Sequence, residues 1–177
     1  MLKQLSPGEL AQRARRIRLL VSDVDGVLTD AGVYYSARGE ELKRFSLRDG
    51  MGVERLREAQ IETAFLTREN SEIVLARAQK LRLLHVFLGV RDKRAHFPEL
   101  LAQTRLEPGQ IAYIGDDHND LELLDCVAEA GLSAAPADAA SELLERVHYV
   151  TPAPGGHGAF RQFAEFILRM RRQEAAA

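Results

Sequence analysis

Asp23-Val24-Asp25-Gly26-Val27-Leu28-Thr29 follows the apolar run Leu19-Leu20-Val21, so a buried strand runs out into a glycine turn with two carboxylates two residues apart. Side chains two apart on a strand point to one face, and ligands of open α/β sheets bind beyond the carboxyl ends of strands. Both carboxylates can therefore meet one phosphate. The same grammar returns at Ile111-Ala112-Tyr113-Ile114-Gly115, which leads into Asp116-Asp117-His118-Asn119-Asp120. Four or five acids converging there need a cation. Asp23 and Asp25 alone also suit an Asx-turn or helix cap. The second acidic cluster, with Thr67 and Lys93 at two further strand ends, favours a functional site.

Working outward, apolar runs of strand length alternate with helical patterns. Residues 17–22, 61–66, 85–88 and 111–115 read as strands, and 51–58, 71–81 and 94–104 as helices. This alternation predicts a parallel sheet wrapped by helices. Downstream come a helix over 121–127, a short apolar segment at 130–132, a helix over 139–146 and a last strand over 148–150. Ser6-Pro7-Gly8-Glu9 supplies an N-cap, a proline at the first helical position and a capping-box acid, which predicts a helix over 7–16. Its Arg13, Arg15 and Arg16 are expected on an exposed basic face.

Between the first strand and the next helix, residues 33–45 are strand-like on either side of a turn at 36–39. They predict a protruding β-hairpin. An isolated hairpin is marginal in water, and Tyr34, Tyr35 and Phe45 are costly to expose. Packing on a neighbouring subunit is favoured over packing on its own domain. Residues 151–158 form a glycine-rich loop whose glycines permit close backbone approach to a ligand, or serve as a connector. Phe160, Phe163, Phe166, Ile167 and Met170 then make a packing stripe at helical spacing. Arg161 is read as a solvated helix-face charge in preference to a contact for a substrate anion.

The chain has 177 residues, 46% of them hydrophobic, and a formal charge of −2, which suits one domain over residues 1–177 with one core. Mixed charge gives no nucleic-acid groove, and no run of about 18 apolar residues is present to cross a bilayer. The start of the chain, Met1-Leu2-Lys3-Gln4-Leu5-Ser6-Pro7, lacks the pattern of a secretory signal, and Cys126 has no intramolecular disulfide partner. A cytoplasmic location is expected. Cys126 sits in an apolar register and is read as a buried small hydrophobe. The five histidines, His85, His96, His118, His148 and His157, lack zinc-site spacing.

Asp23-Val24-Asp25-Gly26-Val27-Leu28-Thr29, Thr67 after Phe65-Leu66, Lys93, and Gly115-Asp116-Asp117 with Asp120 resemble, in order, the four motifs of the haloacid dehalogenase superfamily of phosphohydrolases. The short length, the hairpin, Arg48-Asp49-Gly50 and Gly155-Gly156-His157-Gly158 look like its capless 3-deoxy-D-manno-octulosonate 8-phosphate (KDO 8-phosphate) phosphatase family. The resemblance spans nearly the whole chain. It implies a Rossmann-like parallel sheet flanked by helices, with the β-hairpin in place of a cap domain. It also implies a homo-oligomer, typically a tetramer with packed hairpins, in which a neighbour helps close each active site.

Carried over by motif, Asp23 is the nucleophile that forms an aspartyl-phosphate, and Asp25 is the general acid and then the general base. Mg²⁺ is expected on the Asp23 carboxylate, the Asp25 main-chain carbonyl and Asp116, with Asp120 orienting its waters. Thr67 and Lys93 are expected on the phosphoryl oxygens. Gly26 is expected to bring a backbone N–H to the same group. Separately, Thr67 also suits a helix N-cap, Lys93 a solvated charge and Asp120 a helix-start acid. Their shared order and placement favour the site.

One departure bears on the substrate. Octulosonate phosphatases commonly have Gly then Arg after the motif threonine, whereas this chain has Thr67-Arg68-Glu69-Asn70. Glu69, with Lys80 eleven residues on, resembles relatives acting on nine-carbon 2-keto-3-deoxy acid phosphates, and similar segments occur beside sialic-acid cytidylyltransferases. Glu69, Lys80 and Arg68 are therefore substrate-contact candidates. The reading is a phosphatase of a sugar-acid phosphate, KDO 8-phosphate ahead of nine-carbon analogues. A phosphorylatable receiver domain lacks the late Gly-Asp-Asp cluster, and a noncatalytic assembly subunit has no need of Asp25.

Overall fold

The computed structural model describes residues 4–173, so the first three residues of the N-terminal segment lie outside it. Helix α1 (Pro7–Arg16) begins where the sequence places it. The Ser6 hydroxyl accepts the Glu9 N–H at 3.2 Å, and the Glu9 carboxylate accepts the Ser6 N–H at 2.8 Å. Strand β1 (Leu19–Ser22) follows, then the hairpin strands β2 (Val33–Ser36) and β3 (Gly39–Lys43). Next come α2 (Leu47–Glu58), β4 (Glu62–Leu66), α3 (Glu72–Lys80), β5 (His85–Phe87) and α4 (Lys93–Thr104). The chain continues through β6 (Ile111–Ile114), α5 (Leu121–Ala130), β7 (Leu132–Ala135), α6 (Ser141–Leu144), β8 (Tyr149–Val150) and α7 (Ala159–Arg172).

Six strands form one parallel sheet in the order β5-β4-β1-β6-β7-β8, and β2 and β3 pair separately as the antiparallel hairpin. Strand β1 lies between β4 and β6, with Val21 in register with Ala64 and Tyr113. All four of its residues are buried, as both faces of the sheet are covered. Leu20 and Phe65 pack with Ala14, Val53, Val74, Phe160 and Phe163 on one face. Leu19, Val21, Leu66 and Tyr113 pack with Phe97, Leu100, Leu123 and Val127 on the other. The predicted stripe of α7 is buried in the first of these layers, each large side chain contributing about 2 kcal/mol.

Several elements depart from the sequence reading. Helix α2 starts at Leu47 because Ser46 caps it, accepting the Arg48 N–H at 3.2 Å. Residues 132–135 form a central strand, although Leu-Ser-Ala-Ala carries little β-propensity; pairing with β6 supplies what the local sequence lacks. Helix α6 keeps only four residues of the predicted eight. Arg13 and Arg16 are not a free basic face. They donate to the carbonyls of Ala128 (2.6 Å), Glu129, Ala130 and Gly131, closing the exposed C-terminus of α5.

Candidate active site

The carboxyl ends of β1, β4 and β6 adjoin, so the segments that leave them share one rim. A cleft of about 200 Å³ opens there, lined by Asp23, Asp25, Thr67, Arg68, Glu69, Asp116 and their neighbours Ala31, Asp117 and Asn119. Asp23 follows directly on β1 and is only 5% exposed. Lys93, the first residue of α4, is buried between two carboxylates, its Nζ 2.7 Å from Asp23 Oδ2 and 2.5 Å from Asp120 Oδ1. It is therefore not a solvated charge. Nor is Asp120 a surface helix-start acid. Its Oδ1 also accepts the Tyr113 hydroxyl at 2.5 Å, and its Oδ2 accepts the Asp116 and Asp117 N–H groups at 3.0 and 3.2 Å.

Asp120 and Asp23 both meet donors at each oxygen, Asp23 Oδ1 accepting the Val24 N–H at 2.7 Å and Oδ2 facing Lys93, so Asp116 is the carboxylate of the cluster most open to an ion. Ligand atoms of Asp23, Asp116 and Asp120 lie within 4.8 Å of one another, and Asp116 Oδ1 is buried without a partner among the described residues. Burial and the charge of Asp120 push the Asp116 carboxyl up to about 7. Burial, then Asp120, also drives Asp23 upward, against the pull of Lys93. For Lys93 burial opposes the charge, but Asp23 and Asp120 outweigh it and keep it an ammonium. Three carboxylates thus surround one buried cation. A divalent ion with oxygen ligands fits the excess negative charge and the orphaned Asp116 oxygen.

Gly26 acts differently from the expectation. Its N–H goes to Thr29 Oγ1 at 3.3 Å, and Gly26 is absent from the cleft wall. What the missing side chain provides is room: at φ +84° a Cβ would overlap the Asp116 carboxylate. The glycine-rich loop makes its close approach to protein, not to the cleft. A Cβ on Gly155 would overlap the Gly26 carbonyl, and the Gly156 N–H donates to Val27 O at 2.9 Å, so the loop backs the Asp23–Thr29 turn.

Thr67 is 2% exposed at the end of β4, and its Oγ1 accepts the Glu69 N–H at 3.2 Å. Arg68 and Glu69 reach the cleft exposed. Lys80 does not join them: it is exposed at the far end of α3, which runs away from this rim. Arg161 pairs with Glu165 at 2.8 Å and is likewise outside the cleft. Asp49 anchors α2 to the start of α7, its Oδ1 accepting the Arg161 N–H at 2.9 Å. Cys126 is half-buried rather than buried, lies outside the cleft, and has its thiol raised by burial.

Two residues escaped the sequence reading. Tyr113 reads as core, yet a buried tyrosine two residues from a strand end needs a partner for its hydroxyl, and that need was a usable signal. Lys43 reaches Asp25 Oδ1 at 2.6 Å from the hairpin. Nothing in the strand pattern announces that contact.

The profile of haloacid dehalogenase-like hydrolases matches residues 53–161. The 3-deoxy-D-manno-octulosonate 8-phosphate phosphatase of Yersinia pestis is 43% identical over 160 residues, 90% of this chain and 84% of that protein. A match of that length cannot leave out Asp23. The chain belongs to the haloacid dehalogenase-like hydrolases. Among solved structures of this family, the Moraxella catarrhalis octulosonate phosphatase in complex with magnesium ion, phosphate ion and KDO is 34% identical, with a TM-score of 0.86 over 93% of this chain and 92% of that one. The cobalt-bound Haemophilus influenzae phosphatase is 38% identical, with a TM-score of 0.85 over 90% of this chain and 92% of that one. As a haloacid dehalogenase-like hydrolase with phosphatase relatives, this chain is an enzyme of the phosphatase class.

Proposed function

We propose that this enzyme hydrolyses 3-deoxy-D-manno-octulosonate 8-phosphate in a Mg²⁺-dependent reaction through a phosphate ester of Asp23. The observation that carries the reading is the convergence of Asp23, Asp25, Thr67 and Asp116 on one cleft with Lys93 buried beside it. Mg²⁺ would be held by the Asp23 and Asp116 carboxylates and the Asp25 main-chain carbonyl, and would there supply charge neutralisation for an incoming phosphate. Asp120 holds the Asp116 and Asp117 backbone and Lys93 in place.

Asp23 attacks phosphorus in line with the departing sugar oxygen, and Asp25 gives that oxygen a proton. Asp25 then takes a proton from the water that cleaves the aspartyl-phosphate, restoring Asp23. Thr67 donates its hydroxyl to an equatorial phosphoryl oxygen. Lys93 offsets charge on Asp23 and on the transferring group.

We infer that a cleft of about 200 Å³ takes the phosphoryl end and leaves the rest of an eight-carbon sugar acid outside it. Tyr34 and Tyr35, adjacent on β2, are 66% and 72% exposed. We read the hairpin as the contact of a homo-oligomer, a tetramer by family resemblance, whose neighbouring chains supply the rest of the sugar site. Exposed Arg68 and Glu69 on the cleft wall sustain a second reading, a nine-carbon keto-acid 9-phosphate. No helix among the described residues is long and apolar enough to cross a membrane, and we take the working compartment to be the cytoplasm.

The test is phosphate release from KDO 8-phosphate and from a nine-carbon keto-acid 9-phosphate, with Mg²⁺ and with EDTA, with Asp23→Asn as control. Faster release from the eight-carbon ester, abolished by EDTA, is expected. Preference for the nine-carbon ester would reassign the substrate, and release by Asp23→Asn at the wild-type rate would reject the mechanism.

A further inference from the structure

The hairpin carries a lysine into the site. The Lys43 side chain is 1% exposed, with its Nζ 2.6 Å from Asp25 Oδ1 and 3.4 Å from Glu40 Oε2. Glu40 Oε1 in turn accepts the Ser71 hydroxyl at 2.5 Å. Ser71 sits four residues past Thr67, just ahead of α3. A chain of four side chains, Asp25, Lys43, Glu40 and Ser71, therefore ties the loop after β1 to the loop after β4 through the hairpin. Burying an ammonium is costly unless it is paired, so its burial here makes this docking specific.

The two oxygens of Asp25 are not equivalent. Oδ1 accepts from Lys43 and, at 3.3 Å, from the Thr29 hydroxyl. Oδ2 is buried with no partner among the described residues, on a residue that lines the cleft. We infer that Lys43 is a positioning residue for Asp25, fixing Oδ1 as the anchored oxygen and Oδ2 as the one that exchanges protons with substrate and water. The inference rests on the acid/base role proposed above for Asp25.

The chemistry balances with one oxygen doing the transfer. As the Asp23–phosphorus bond forms and the bond to the leaving oxygen breaks, the proton on Asp25 Oδ2 moves to that oxygen. Oδ1 meanwhile stays a carbonyl acceptor for Lys43. In the second half, a water oxygen bonds phosphorus, its proton goes to Oδ2, and Asp23 departs as carboxylate. Without Lys43 the carboxyl group can rotate, and either oxygen or neither faces the leaving group.

The experiment compares kcat/KM for phenyl phosphate, whose leaving oxygen needs a proton, with p-nitrophenyl phosphate, whose leaving oxygen scarcely does. Lys43→Met should lower the former by at least about ten-fold and the latter by no more than about three-fold, as loss of general acid catalysis predicts. Ser71→Ala should shift the ratio the same way by less. Added to Asp25→Asn, Lys43→Met should cause no further loss, since it acts through Asp25. Equal losses on both esters, or an additive loss on Asp25→Asn, would overturn the inference in favour of a substrate or folding role. If Lys43→Met fails to fold, judged by circular dichroism and gel filtration, Ser71→Ala decides by whether its loss on phenyl phosphate exceeds its loss on p-nitrophenyl phosphate. An Asp25→Asn enzyme insensitive to the leaving group would also overturn it. Because neither ester is a sugar acid, a wrong substrate assignment leaves this test intact.

Discussion

Lowering the pH should weaken Mg²⁺ binding far above the range in which ordinary carboxylates titrate. Asp116 is held at about 7 by burial and by Asp120, and it is the carboxylate of the cluster most open to an ion. The ion competes with one proton for that group, so affinity scales inversely with one plus the ratio of proton concentration to the acid constant. Between pH 8 and pH 5.5, a group at 7 predicts a loss of about 30-fold, whereas one at the ordinary value near 3.8 predicts almost none. Asp23 is displaced in the same direction and can only steepen the trend. Isothermal titration with Mg²⁺ at both pH values measures the loss directly. Repeating it at pH 7 in buffers of different ionisation enthalpy should count about half a proton released from Asp116 for each ion bound. An affinity that stays constant from pH 8 to 5.5, with no buffer dependence, would refute the electrostatic account of the cluster.

Two substitutions separate the site from its scaffold. Gly26→Ala places a Cβ against the Asp116 carboxylate at a left-handed φ, and should cost about 1–2 kcal/mol of stability in backbone strain while weakening Mg²⁺ by more than about ten-fold. Titration calorimetry and thermal melting check both halves, and unchanged metal affinity would contradict the close approach. Asp49→Ala removes the carboxylate that receives the Arg161 N–H, and should lower stability by about 1–2 kcal/mol with kcat/KM within about two-fold of wild type. A large kinetic loss at retained stability would place Asp49 in the chemistry after all.

Much of this architecture was legible because its signals are local. The apolar run before Asp23 and the one before Gly115 are each buried on both faces, which makes a central parallel strand readable from composition alone. The capping box at Ser6 and Glu9 likewise fixes the start of α1 within four residues. Strand β7 was not legible, since Leu-Ser-Ala-Ala becomes a strand only by filling the place beside β6. Within the site, Asp23, Asp25, Thr67, Lys93 and Asp116 follow from strand ends, which a sequence marks by where its apolar runs stop. Lys43 depends on how a hairpin folds back over a turn, a tertiary fact with no periodic trace. Lys80 is the converse case, absent from this chain's cleft wall. Glu69 with Lys80 resembled the pair of nine-carbon acid phosphatases, but Lys80 closes α3, away from the rim on which Glu69 stands.

The central claim is that Asp23 carries the phosphoryl group. Acid quenching of the Mg²⁺-loaded enzyme during turnover of a radiolabelled phosphate ester, followed by peptide mapping, tests it most directly. The account predicts an acid-stable, hydroxylamine-labile phosphate on Asp23 that is absent from Asp23→Asn. Undiminished turnover by Asp23→Asn, or a label mapped to another residue, would contradict it.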